Sequence, residues 1–123
     1  SRKVLMMNLL VRLNQADSAS RSLEQLKSPG WNGRLLQESM PLLEKAEVAF
    51  AVQNCAIAVA IATIHTLWLL RLVRFNCDKT KLLNLGKGRP AEAGHALDPK
   101  AINAGVLGRV KKLQLAVIPV IAA

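Results

Sequence analysis

Apolar residues recur along this chain at intervals of three and four positions, which is the spacing of one face of an α-helix. In residues 3–15, Leu5, Leu9 and Leu13 fall on one face, and polar side chains lie largely on the other. This segment is therefore predicted to be an amphipathic helix. The sequence ADSAS at 16–20 interrupts the pattern and predicts a break, followed by a second short helix.

A longer helical pattern begins at residue 34 and has no obvious stop before residue 76. Ser39 precedes Met40 and Pro41 and is predicted to cap this helix, because proline is tolerated in a first helical turn. A helix over 40–75 would measure about 54 Å, whereas a compact chain of this length has a radius of gyration of about 14 Å. Either the helix breaks, or it is surrounded by a membrane or an assembly larger than this chain.

The last part of the chain contains a linker and one more helix. Residues 77–98 contain three glycines, one proline and four Lys or Arg residues, and this composition predicts a basic linker. Asp98 followed by Pro99 predicts a helix start, with aspartate as the cap and proline in the first turn. Pro119 is expected to disrupt any helix that reaches the apolar tail.

These segments are predicted to form one structural unit. The chain has 123 residues, which suits a single domain. The predicted fold class is all-α, with several amphipathic helices around one long apolar helix at about 40–75. We divide the chain into an amphipathic segment at 1–33, the apolar helix at 34–76, the linker at 77–98, and the C-terminal helix with its tail at 99–123.

The apolar helix contains a run at 48–70 without a charged residue, which makes it a candidate transmembrane segment. As a helix this run would cover about 34 Å, and the hydrocarbon core of a bilayer is about 30 Å thick. Gln53, Asn54 and His65 oppose insertion into a bilayer, so the insertion free energy of the isolated segment is close to zero. Six Lys or Arg between 71 and 89, against two between 30 and 47, would place the C-terminal side in the cytoplasm or an organellar matrix.

A core helix of a soluble bundle has the same composition, and that alternative stays open. The alternation AIAVAIAT at 56–63 also fits a buried strand, which the helical pattern on both sides disfavours. In either helical interpretation, small residues at helical spacing permit close packing against another helix. The predicted helix-packing residues are Ala51, Cys55, Ala58 and Ala62.

The charge balance points to polyanionic partners. Seventeen Lys and Arg stand against eight Asp and Glu, which gives a formal net charge of +9. Such an excess attracts nucleic acid, anionic lipid headgroups or an acidic protein. The residues predicted to contact a polyanion or lipid headgroups are Arg71, Arg74, Lys79, Lys81, Lys87, Arg89, Lys111 and Lys112.

Catalytic motifs are absent from the sequence, so neither an enzymatic activity nor a cofactor is predicted. His65 would be a functional candidate inside a membrane, but no second ligand lies one turn away, which favours a neutral histidine bonded within a core. Cys55 and Cys77 lie 22 positions apart. On one helix this is about 33 Å, too far for a disulfide, so both are predicted to be free thiols.

The leading functional hypothesis is a small, basic, non-enzymatic structural or accessory protein packed within a membrane-associated complex. Its partners would be other helical subunits or further copies of itself, together with anionic headgroups. The alternative is a soluble, oligomeric α-helical bundle that binds nucleic acid or an acidic protein through its basic loop. Binding that weakens steeply as salt rises would favour the nucleic-acid alternative.

Overall fold

The computed structural model describes residues 1–25, 33–86 and 98–123, and over residues 76–86 it describes the backbone only. These residues hold no strand, so the predicted all-α fold class is confirmed, and residues 56–63 are helical. The helices are α1 (Arg2–Gln25), α2 (Gly33–Gln37), α3 (Met40–Ala51), α4 (Cys55–Gly86) and α5 (Pro99–Ala122).

The four longer helices pack as a bundle around one core. Helix α1 lies against α4 and α5, α3 lies against α4 and more weakly against α5, and the short α2 contacts α4 and α5. Along α4 the buried positions are separated alternately by three and four residues, which is the spacing of coiled-coil packing. They are Cys55, Ala58, Ala62, His65, Leu69 and Leu72, and Thr66 beside His65 is buried as well.

Helices α1 and α5 are antiparallel, because residues of rising number in α1 meet residues of falling number in α5. The Gln114 side chain donates a hydrogen bond to Asn14 at 2.7 Å. Further along α1, the Ser20 hydroxyl donates to Asn103 Oδ1, and Asn103 Nδ2 donates to the Ser20 carbonyl, both at 2.7 Å. Ser20 and Asn103 are fully buried, and a buried polar pair of this kind specifies the register of two helices.

The predicted single helix over 40–75 is corrected, because the chain reverses at Val52, Gln53 and Asn54 and forms the hairpin α3–α4. The Asn54 N–H donates to the Ala49 carbonyl at 2.8 Å, and the Gln53 N–H donates to the Phe50 carbonyl at 2.9 Å. This pair of bonds is the Schellman ending of a helix. Asn54 Oδ1 then accepts from the Ile57 N–H at 3.3 Å and so caps α4. The apolar run 48–70 is therefore divided between two helices.

Two other predicted helix interruptions, at residues 16–20 and at Pro119, are wrong. Residues 16–20 continue α1 without a break, because Ala16, Ala19 and Ser20 face the core. Their packing, together with the high helix propensity of alanine, outweighs the weaker propensity of Asp17, Ser18 and Ser20. Helix α5 passes through Pro119 to Ala122. Proline there removes one N–H near the helix end, and the last turn is still closed by the Ala123 N–H donating to the Pro119 carbonyl at 3.0 Å.

Helix boundaries follow the predicted capping residues closely but not completely. Asp98 caps α5, with its side chain accepting from the Lys100 N–H at 3.0 Å. Ser39 occupies the predicted cap position of α3, but its hydroxyl donates to the Leu36 carbonyl at 2.6 Å instead. The predicted linker begins later than residue 77, since α4 extends to Gly86. The remainder of that linker, 87–97, and the segment 26–32 with Trp31 lie outside the described residues.

The hairpin turn offers a test by substitution. Gln53 has φ of 60°, the left-handed region in which a side chain is disfavoured and glycine is free. We expect Gln53→Gly to raise the free energy of unfolding by about 0.5–1 kcal/mol, measured by urea denaturation. Val52 has an ordinary φ of −87°, so the control substitution Val52→Gly should lower the free energy of unfolding. Equal effects of the two substitutions would contradict this account of the turn.

Candidate interaction surface

Three of the four predicted helix-packing residues lie in the core of the chain itself. Cys55, Ala58 and Ala62 are 6%, 0% and 3% exposed and form part of one hydrophobic cluster. Ala51 is exposed, because it is the last residue of α3 and does not share the helix of the other three. Small side chains on this face allow the neighbouring helices to approach α4 closely.

Polar contacts also fix the neighbours of α4. The Thr66 hydroxyl lies 3.0 Å from the Arg12 carbonyl of α1 and 2.8 Å from the Ala62 carbonyl of its own helix. The Trp68 indole N–H donates to the Leu35 carbonyl of α2 at 3.0 Å. These contacts bind α1 and α2 to α4 at defined heights along its axis.

A bidentate ion pair joins α3 to α5. Both Arg109 Nε and Arg109 Nη2 donate to the Glu47 carboxylate, the Nε bond at 3.3 Å. The hydrogen bonds that Arg109 donates to the Glu47 carboxylate raise the pKa of Arg109 further above its ordinary value, although burial opposes this. The pair leaves both side chains partly exposed, so it contributes mainly to the specificity of helix pairing rather than to stability.

His65 occupies a core position on the inner face of α4. It is 1% exposed, and its Nε2 has no hydrogen-bond partner among the described residues. Burial lowers the pKa of His65 from 6.5 to about 4, because the charged imidazolium would lose its hydration. The side chain is therefore a neutral core residue at neutral pH, as the sequence interpretation expected, but the hydrogen bond that was also expected is not seen at Nε2 within the described part of the chain.

The outer face of α4 is apolar and exposed. Cys55–Phe75 is long and apolar enough to cross a membrane, and only a third of that segment is buried inside the bundle. On its exposed side the residues from 56 to 70 include no charged side chain. This outer face consists of Ala56, Ile57, Ala60, Ile64, Leu67 and Leu70.

Cations lie around the outer face of α4. Arg71 and Arg74 are exposed and follow it directly along the helix. Arg12 of α1 lines a groove with Leu67 and Leu70 of the outer face. On the other flank, Lys45 of α3 lines a groove of about 520 Å³ with Ile57. We call Arg12, Lys45, Arg71 and Arg74 the basic rim.

One acidic residue, Glu44, lines the same groove as Lys45.

The remaining residues predicted to contact a polyanion are not gathered into this patch. Lys111 and Lys112 are exposed on α5, which packs mainly against α1 and has no extensive contact with α4. Lys79 and Lys81 belong to the part of α4 for which only the backbone is described, and Lys87 and Arg89 lie outside the described residues.

Sequence reasoning missed Arg12 and Lys45 as rim residues and Ser20 and Asn103 as a buried pair. The burial of Ser20 could have been predicted, because it continues the helical spacing of Leu9, Leu13 and Ala16. No local pattern indicates that Arg12 or Lys45 flanks α4, because both positions depend on how α1 and α3 pack.

Comparisons of the chain with protein-family models, with curated proteins and with solved structures found no match. Within the described part of the chain, no group of three His, Cys, Asp or Glu side chains is placed to hold a metal ion.

Proposed function

We propose that the protein is a non-enzymatic structural or accessory protein of a membrane-associated complex, and that it meets the membrane through the outer face of α4. The single observation that supports this most is the exposed, uncharged surface over residues 56–70 of a helix that is apolar on both sides. A helix that is apolar all round is buried on all sides in its working state. The chain buries only the inner side of α4.

Two features favour lipid over a second helix as the material that covers this face. A coiled-coil seam is narrow and is flanked by charged residues that select the partner. Within α4 itself, the outer face is instead bordered by Thr63 on one side and by Ile61 and Trp68 on the other, all uncharged. In addition, the net charge of +9 opposes the approach of a second copy and favours an anionic surface.

The basic residues that follow the apolar face also suit the cytoplasmic leaflet. Anionic lipids concentrate there, and cations close to such a surface are attracted to it. We therefore propose that Arg71, Arg74 and the cations after them face the cytoplasm or, in an organelle, the matrix. Other helical subunits of the complex would then contact the exposed parts of α1, α3 and α5.

The test is membrane fractionation of the intact protein and two double variants. Ile64→Gln/Leu67→Gln removes two side chains from the outer face, each about half exposed. Burial of an aliphatic side chain contributes about 1.5–3 kcal/mol, so half-exposed residues predict a loss of roughly 30-fold in membrane partitioning. Leu115→Gln/Ile118→Gln, with the same residue types and spacing on exposed α5, is the matched control and should leave partitioning unchanged.

A soluble, monodisperse protein that never enters the membrane fraction would overturn the proposed function. The alternative of a soluble bundle that binds nucleic acid would then be examined through the salt dependence of binding.

A further inference from the structure

We infer that the folded bundle lies on the surface of an anionic membrane, with α4 in the plane of the interface and the basic rim on the lipid headgroups, and does not cross the bilayer. This inference rests on the proposed function and specifies its partner and its orientation. It follows from the charged residues that the fold places beside α4, which the sequence of α4 alone does not include.

The neighbours of α4 oppose a crossing by the folded chain. Arg12 is held at the height of Thr66 by the contact between its carbonyl and the Thr66 hydroxyl. Glu44 and Lys45 line a groove with Ile57 and Ile61. If α4 spanned the bilayer while the bundle stayed folded, these charges would enter the hydrocarbon.

The ion pair between Glu47 and Arg109 would enter with them, because α3 packs along α4. Charged side chains near the bilayer centre are among the costliest groups to insert. In the folded state, the outer side of α4 over residues 56–70 carries no such group. The uncharged surface that α4 offers to lipid is therefore one helix wide and shallow.

This geometry suits the interfacial layer of a membrane. The apolar face over residues 56–70 is about 21 Å long, and an amphipathic helix in the plane of the interface buries its apolar side to a depth of about 5–10 Å. At that depth the flanking side chains of α1 and α3 reach the headgroups. The basic rim places four cations there against one carboxylate, Glu44, so the footprint is cationic as well as apolar.

Arg71 and Arg74 contribute most directly, because they continue the same side of α4 immediately after the apolar face. Guanidinium groups donate several hydrogen bonds in a fixed plane and match phosphate and carboxylate oxygens well. An anionic headgroup such as that of phosphatidylserine offers both groups. The structure thus predicts preference for anionic over zwitterionic lipid.

The first experiment measures binding of the full chain to vesicles of phosphatidylcholine alone and of equal parts phosphatidylcholine and phosphatidylserine. Wild-type protein should prefer the anionic vesicles. The Arg71→Gln/Arg74→Gln variant should bind them roughly 30-fold more weakly. Lys111→Gln/Lys112→Gln removes the same charge from exposed positions of α5 and is the matched control, expected to bind within about twofold of wild type.

Equal binding to both vesicle types, or equal losses in the two double variants, would overturn this inference and leave the proposed function standing. No binding to either vesicle would overturn both. A circular dichroism spectrum of each variant confirms that the bundle is folded before binding is compared.

The second experiment tests orientation. Vesicle-bound protein is treated from outside with a lysine reagent that cannot cross the bilayer, and the labelled positions are mapped by mass spectrometry. Lys3 precedes α4 and Lys100 follows it, and both are exposed and lie outside the basic rim. If the bundle lies on the surface, both are labelled in intact vesicles. Protection of one of them until detergent is added would show a crossing and would overturn the inference.

Discussion

Replacement of Ala58 and Ala62 by leucine is expected to unfold much of the bundle. Both side chains are buried, and Ala58 is 0% exposed. Added methylene groups in a well-packed core force neighbouring side chains off their rotamers and shift the backbone, which costs about 1–3 kcal/mol per site. The double variant should therefore lose about 2–6 kcal/mol of unfolding free energy, a large part of the stability of a domain this size.

The same helix offers a control for this prediction. Ala56 and Ala60 are also four residues apart, but they lie on the outer face of α4 and are exposed. Ala56→Leu/Ala60→Leu should change the free energy of unfolding by no more than about 0.5 kcal/mol per site. Urea denaturation followed by circular dichroism measures both variants. Equal stability of the two double variants would show that the inner face of α4 is not packed in the way described.

Acidification is expected to destabilise the protein through His65. Its folded-state pKa is lowered to about 4 by burial, whereas the unfolded chain titrates near 6.5. Below pH 6.5 the unfolded state therefore binds a proton that the folded state rejects, and unfolding becomes progressively easier until about pH 4. The lowered pKa corresponds to a contribution of about 3 kcal/mol to the free energy of unfolding. This contribution is present in full above pH 6.5 and is lost as the pH falls from 6.5 to about 4.

The His65→Leu variant isolates this effect, because leucine has a similar volume and cannot be protonated. We expect the urea midpoint of the wild-type protein to fall more steeply than that of the variant between about pH 7 and pH 4. All other ionisable groups are common to both proteins, so the difference between the two pH profiles reports on residue 65. Parallel pH profiles would contradict the assignment of a neutral, desolvated imidazole at this core position.

Much of the secondary structure could be predicted because its causes are local. The spacing of Leu9 and Leu13 predicted the buried face of α1, and the Asp98 cap predicted the start of α5. The errors fall where packing outweighs local preference. Residues 16–20 look like a break, yet Ala16, Ala19 and Ser20 are core residues. At residue 53, a glutamine adopts the left-handed conformation that ends a helix. Glycine usually occupies such a position, so the sequence carried no signal for the turn.

The sequence by itself determined that the protein is helical, basic and unusually apolar between residues 48 and 70, because periodicity, charge and hydropathy are properties of residue order. It also determined that one helix over 40–75 would be too long for a compact chain, so that a break was one of two outcomes. Neither the position of the break nor the two different faces of α4 follows from that order.

The tertiary structure decided which side of α4 is covered. Packing of α1 and α3 against α4 buries Ala58, Ala62 and His65, and it leaves Ile64 and Leu67 outside. The same packing brings charged residues of α1 and α3 beside an apolar helix. A sequence specifies which residues share a helix face, but the faces that meet depend on contacts between distant segments, and those contacts exist only in the folded bundle.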